Sequence, residues 1–289
     1  MRRPHAREEN SGVRGLPPLA ACALLLLGAA APVPASAPAP AAPAAFEASQ
    51  SDPRAISLAD LVMQSLGGAS AWEATRYIHF AFAVEKAGKR LAYRTHLWDR
   101  YQGRLRYENR GKDGKSLVVL LDLTTRHGSA YREGTKLGES TAKPLLEEAY
   151  EAWINDTYWL LMPYKMKDPG VHLQYAGEET RGGATYDRVL LSFDAVGLTP
   201  KDRYWADINR TTHLMDRWSY ILQDDPPQGP PAAWEWKGWR RFGGILLAPE
   251  KVAVGKDGVR ITHPILEVPS SVPDAAFERP DPLPEHLAP

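Results

Sequence analysis

Cysteine is nearly absent: Cys22 is the only one in 289 residues. Neither a disulfide framework nor a thiolate metal site can therefore organise the fold. Net charge is also absent, with 35 basic and 35 acidic side chains, so no global field recruits nucleic acid or acidic substrates. The catalytic signatures are missing as well. His79, His96, His127, His172, His213 and His263 are scattered singly, with no H-x-H, H-x-x-E-H or H-E-x-x-H spacing to hold a metal. No G-x-S-x-G marks a nucleophile. The glycine-containing stretches "GKDGK" (111–115) and "GKDG" (255–258) read as hairpin turns rather than phosphate loops. No cofactor is implied.

Long hydrophobic runs are confined to the start. A basic segment ending at Arg14 precedes an apolar run from Leu19 to Ala31, then small residues and prolines. This is the pattern of an export signal, and the run is short of the roughly 20 residues that a membrane span needs. The expected signal covers about residues 1–37, with Val33-Pro34-Ala35 or Ala35-Ser36-Ala37 at its end. Leu19-Ala20-Ala21-Cys22 has the form of a lipobox, but the apolar run lies mostly after Cys22, which favours cleavage over lipid anchoring. Residues 38–55 form an Ala/Pro-rich linker of low core-forming capacity. The reading is an exported protein of the periplasm or cell envelope, with no transmembrane span once the signal is removed.

What remains is one domain of about residues 56–280 and a Pro-rich tail, 281–289. Ser57, with Asp60 three residues on, reads as the cap of a first helix carrying Leu58, Leu61, Val62 and Leu66, stopped by Gly67-Gly68. Ser70 reads as the cap of a further turn carrying Trp72. The period then changes to two. "YIHFAFAV" (77–84) sets Ile78, Phe80, Phe82 and Val84 on one face and His79, Ala81 and Ala83 on the other. In "GRLRYEN" (103–109), Leu105 and Tyr107 point inward, and Arg104, Arg106 and Glu108 outward. "SLVVLLDL" (116–123) is apolar on both faces, so both are covered. A mid-chain helix is expected from a cap at Thr141, with Pro144 in its first turn, broken or recapped at Asn155-Asp156. It ends before Pro163, which pushes Met162 out of helical geometry. About ten strands at intervals of 8–12 residues then describe an all-β barrel or sandwich with one helical insertion. The expected architecture is mainly β, a strongly curved antiparallel sheet whose open side is lidded by helices.

Four stretches carry a resemblance: "LGGASAWEATRYIHF", "NDTYWLLMPYKMKDPG", "YWADINRTTHLMDRW" and "WRRFGGILLAPEKV". Through them the chain resembles the LolA/LolB lipoprotein-carrier superfamily, and more closely a group of exported LolA-like proteins. The likeness spans most of the chain from about Leu58 to Pro280. It implies an unclosed, or half, β-barrel whose concave face, under a helical lid, shelters acyl chains.

An aromatic surplus is the remaining signal. A tryptophan taken singly is ordinary β core, but a curved sheet that does not close leaves an apolar concavity of the kind aromatic side chains line. The expected wall and lid are Phe80, Phe82, Trp98, Tyr107, Trp153, Tyr158, Trp159, Met162, Tyr164, Trp205, Trp218 and Trp236, with Tyr164, Lys165 or Arg217 at the rim for a headgroup. This reads as a non-enzymatic binding or carrier protein for a lipid, a lipoprotein acyl chain or another apolar ligand. The alternative is an envelope scaffold or interaction module with a filled interior and a cell-envelope protein partner. Arg240-Arg241 beside Trp234, Trp236 and Trp239 is not read as a nucleic-acid site, because the chain is exported and its charge balanced.

Overall fold

The computed structural model describes residues 45–111, 113–194, 201–226, 229–284 and 286–287. The expected signal peptide, Cys22 and residues 38–44 of the linker lie outside these. The ordered fold opens with helices α1 (Pro53–Ser65) and α2 (Ala69–Ala74). The Asp52 side chain, rather than Ser57, caps α1 by accepting from the amides of Arg54 and Ala55, and Pro53 occupies the first helical position. Gly68, not Ser70, precedes α2. Gly67 closes α1 at φ +122°, where an added Cβ would stand 2.6 Å from the Gly244 carbonyl oxygen.

The first meander comprises β1 (Tyr77–Lys86), β2 (Lys89–Asp99), β3 (Arg104–Arg110), β4 (Ser116–Asp122), β5 (Gly128–Arg132) and β6 (Thr135–Lys136). Helix α3 (Glu139–Leu161) and a 3₁₀ turn (Met162–Lys165) follow. The second meander is β7 (Val171–Arg181), β8 (Ala184–Phe193), β9 (Arg203–Asn209), β10 (Met215–Ile221) and β11 (Ala232–Lys237). A separate ribbon, β12 (Arg240–Phe242) with β13 (Ile245–Leu247), leads to β14 (Glu250–Ala253), β15 (Val259–Thr262), β16 (Leu266–Glu267) and the short α4 (Ala275–Glu278). Among the described residues the large sheet has 14 strands, ordered β6-β5-β4-β3-β2-β1-β15-β14-β11-β10-β9-β8-β7, with β16 also on β1. The pairings are antiparallel, and the edge strands β6 and β7 do not pair with each other. The sheet is thus unclosed and helix-covered, as expected. No described helix is long and apolar enough to cross a membrane.

The chain segment joining those two edges is α3. Its 23 residues span about 34 Å at 1.5 Å per residue, so the connection itself lies across the concave side. Its two halves differ. Ala142, Ala149 and Ala152 pack on Leu105, Tyr107, Leu117, Val119 and Leu121, whereas Trp159, Leu160 and Leu161 pack on the β8–β11 side. Small side chains admit close approach; at Gly128 a Cβ would lie 2.1 Å from the Leu120 carbonyl oxygen and 2.9 Å from Leu146 Cδ2. The helix is not broken at Asn155-Asp156, because Asp156 finds tertiary partners. Met162 also keeps right-handed helical dihedrals (φ −47°, ψ −42°) as the helix tightens into the 3₁₀ turn at Pro163.

The expectation that Arg106 points outward to solvent needs correction, and His79 shares its situation. Both lie on the convex face yet are buried, because the C-terminal segment covers it: Val272, Ala276, Phe277 and Leu287 pack on Tyr77 and Leu97. Arg106 donates Nη1 to the carbonyls of Ala276 (3.0 Å) and Arg279 (2.7 Å), Nη2 to that of Asp281 (2.6 Å), and Nε to Glu108 (2.5 Å). His79 Nδ1 lies 2.9 Å from Glu267 Oε2. Buried carbonyls that lose a charged donor are costly. Arg106→Ala is therefore expected to lower unfolding free energy by about 2–4 kcal/mol in denaturant titrations, with early proteolytic loss of residues after Val272. An unchanged midpoint would show that the segment is held by apolar packing alone.

Candidate functional site

Strand alternation brings the aromatic residues together. Trp218 and Tyr220 on β10 share a face with Trp234 and Trp236 on the neighbouring β11, and α3 lowers Tyr158 and Trp159 onto them. Ring centroids lie 4.5 Å apart for Trp159–Trp218, 5.0 Å for Trp159–Trp234, 5.7 Å for Tyr158–Trp218 and 5.5 Å for Tyr158–Tyr204. Edge-on geometries predominate, as the ring quadrupoles favour. Trp236 continues the set to Trp218 (6.3 Å) and stacks on Trp239 (5.8 Å). Phe80, Phe82 and Met162 are buried in the same cluster. Tyr164 stacks on Trp72 at 4.5 Å, and its single hydroxyl proton is shared between the carbonyls of Leu246 (2.7 Å) and Leu66 (2.9 Å), closing the chamber next to α1.

The other expected residues fall elsewhere. Tyr107 and Trp153 belong to the second cluster, under the alanine half of α3, and Trp98 joins the two clusters through an edge-on contact with Trp153 at 5.3 Å. Trp205 alternates with Tyr204 and Ala206, which pack on the chamber, and so takes the other face, where Arg203 lies 5.6 Å from its ring. The expected rim does not converge: Tyr164 is hydrogen-bonded inside, Lys165 pairs with Asp168, and Arg217 lies 3.5 Å from Glu235.

Tyr204, Tyr220 and Trp234 were not among the expected residues. For Trp234 and Tyr220 the signal was available in the sequence, since each stands two positions from an expected tryptophan on the same strand face. Next to the chamber a hollow of about 460 Å³ opens at the end of the sheet, lined in part by Ile221, Pro230, Trp234, Ala253 and Lys256.

Two of the buried titratable groupings bear on the lid and the chamber. Asp156, in mid-α3, has no exposed surface; Arg94 on β2 grips it with Nε at 2.5 Å and Nη2 at 2.6 Å, while His96 Nε2 lies 2.7 Å away. Burial works against the Asp156 carboxylate, but hydrogen bonds from Arg94 and His96 more than offset it and hold its pKa below the ordinary range. Burial dominates at His96 and pushes it down despite Asp156. The imidazole is then neutral: Nε2–H donates to Asp156, and Nδ1 is left without a partner. The second grouping is Lys251 with His263, both buried. Lys251 Nζ donates to the Ala248 carbonyl (2.6 Å) and lies 3.1 Å from His263 Nε2, and His263 Nδ1 lies 2.8 Å from the Ala81 carbonyl. Among the described residues no group of three or more His, Cys, Asp or Glu side chains is placed to hold a metal.

Several polar atoms of the chamber are buried without a partner: Tyr158 Oη and the indole nitrogens of Trp218, Trp236 and Trp239. A core shaped for packing alone pairs nearly all such groups.

No family model matches the chain, and no curated protein does. Solved structures do. A DUF1329 family protein from Desulfovibrio piger is 12% identical at TM-score 0.40, covering 77% of this chain and 96% of its own. A LolA superfamily protein from Nitrosomonas europaea is 10% identical at TM-score 0.42, with the same coverage. A putative outer membrane lipoprotein-sorting protein domain from Vibrio parahaemolyticus is 7% identical at TM-score 0.42, covering 78% of this chain and 96% of its own. The chain is similar to LolA-like folds, in line with the sequence resemblance. At these identities and scores the matches carry no function across.

Removing the buried Asp156 carboxylate strands the half-buried Arg94 guanidinium. Asp156→Asn is expected to cost about 3–5 kcal/mol of stability. The acid dependence follows from the shifts. His96 and Asp156 both have folded pKa values below their unfolded ones, so their contribution is complete at neutral pH. It is lost as pH falls, first below about 6.5 through His96 and then below about 4 through the carboxylate. Denaturant titrations from pH 8 to 3 should show that decline, with a shallower acid limb in Asp156→Asn. A wild-type stability that is flat across this range would contradict the assignment.

Proposed function

We propose that the chain is an exported, non-enzymatic binding or carrier protein for a lipid or another long apolar ligand, received on the concave side when the aromatic turn at the end of α3 lifts. The observation that carries this reading is the aromatic chamber under the lid, with its unpartnered Tyr158 hydroxyl and Trp218 and Trp236 indole nitrogens. Those buried groups cost stability in the closed form, and a ligand can satisfy them. Burial of each CH₂ contributes about 0.8 kcal/mol, enough for a long chain to displace the lid's own side chains. Residues 1–37 as the signal peptide and 56–280 as the carrier domain remain part of the proposal.

One observation favours the second reading, an interaction module with a filled interior: Tyr158, Trp159, Trp218 and Trp236 are in contact with one another or with neighbouring rings. The two readings part on extraction. Organic extracts of the isolated protein, analysed by mass spectrometry, should yield an acylated molecule in near-stoichiometric amount, and added long-chain lipid should quench tryptophan fluorescence. An empty extract with unchanged fluorescence would favour the filled module over the carrier.

A further inference from the structure

Lys251 is an unusual residue to find in the concave core. It is 0% exposed, and its Nζ has only neutral neighbours: the Ala248 carbonyl, the His263 imidazole and the face of Trp236, 4.4 Å from the ring centroid. His263 Nδ1 is directed at the Ala81 carbonyl. This fixes the tautomer, with the proton on Nδ1 and Nε2 free to accept from the lysine. No carboxylate acts on the amine, and burial alone pushes its pKa well down. The nearby buried acid, Asp156, is already taken by Arg94 and His96.

A buried amine is normally matched by an acid. Here the free groups around Trp236 are hydrogen-bond donors rather than anions. Trp236 lies against Lys251, Trp218 and Trp239 flank Trp236, and all three indole nitrogens are donors without acceptors. The polar inventory at this end of the chamber is therefore a surplus of donors around one potential cation, inside an apolar wall.

We propose that Lys251, with the indole N–H of Trp236, receives the anionic head of an amphiphilic ligand, a carboxylate or phosphate borne on a long apolar chain. This rests on the reading of the chamber as a ligand site and names the class of ligand. The ligand's anion replaces the neutral partners of Nζ with a charge-assisted hydrogen bond, the stronger kind. Its chain takes the space that Trp159 and Met162 fill in the closed form.

The test is a fluorescence titration of the isolated protein with monomeric hexadecanoate, hexadecyl phosphate and hexadecanol, repeated with Lys251→Met. Wild type is expected to bind the anionic amphiphile it is built for about tenfold tighter than the alcohol; which anion wins distinguishes carboxylate from phosphate. Lys251→Met, which replaces a buried amine by an apolar chain of similar length, should keep alcohol binding and lose the preference. Lys251→Arg should retain part of it. Equal affinity for all three ligands in wild type, or a preference that survives in Lys251→Met, would overturn the anion site and leave the apolar chamber standing. Binding of none would overturn both. The wild-type comparison decides the matter even if the methionine variant does not fold.

Discussion

A buried carboxylate in mid-helix, gripped from the sheet by Arg94 and His96, fixes how the open side of this molecule is covered. Asp156 sits where α3 passes from its alanine half to its aromatic half. An ionised group without solvent is tolerated only when it is fully paired, so the helix has one register in which it can lie on β2. Everything the lid does follows from that constraint. N-terminal to Asp156 the helix is packed close by Ala142, Ala149 and Ala152. C-terminal to it, Tyr158, Trp159 and Met162 reach across a wider gap to β9, β10 and β11.

The topology explains why the lid is an integral part of the chain rather than an appendage. The two meanders leave β6 and β7 as opposite edges, and α3 is the connection between them. Covering the concave face and joining the edges are one task. The helix is anchored at Asp156 by charge and beyond its exit by Tyr164, whose hydroxyl proton is shared between the carbonyls of Leu246 and Leu66. Between those anchors lies the aromatic turn with its unpaired polar atoms. That is the segment where a modest cost already stored in the closed form favours opening.

Much of the fold was legible in the sequence because the alternation is clean where one face is buried. Ile78, Phe80, Phe82 and Val84 are all in the core, and "SLVVLLDL" is covered on both sides as its composition demands. The failures have a common cause in distant chain segments. Arg106 and His79 obey the alternation, but nothing local announces that residues 272–287 will cover them. Asn155-Asp156 looks like a helix break by propensity, and tertiary pairing overrides it. The candidate site was half legible. Spacing alone sets Trp234 with Trp236, and Trp218 with Tyr220, on one face of their strands, while Trp205 falls on the opposite face from Tyr204 through the same alternation. Lys251 gave no sign: in "PEKVAV" a lysine reads as solvated, and its burial depends on a register shared with Trp236 across β11 and β14.

The central claim is that the aromatic turn between Asp156 and Tyr164 can leave the sheet while the sheet stays folded. Native-state amide hydrogen exchange tests it most directly, by comparing the opening free energy of residues 157–162 with that of β1–β4. The account predicts a sub-global opening of that segment at distinctly lower free energy than global unfolding, raised when a long-chain ligand is bound. Exchange of residues 157–162 only through global unfolding, with no response to ligand, would show that this turn is a fixed part of the core and contradict the account.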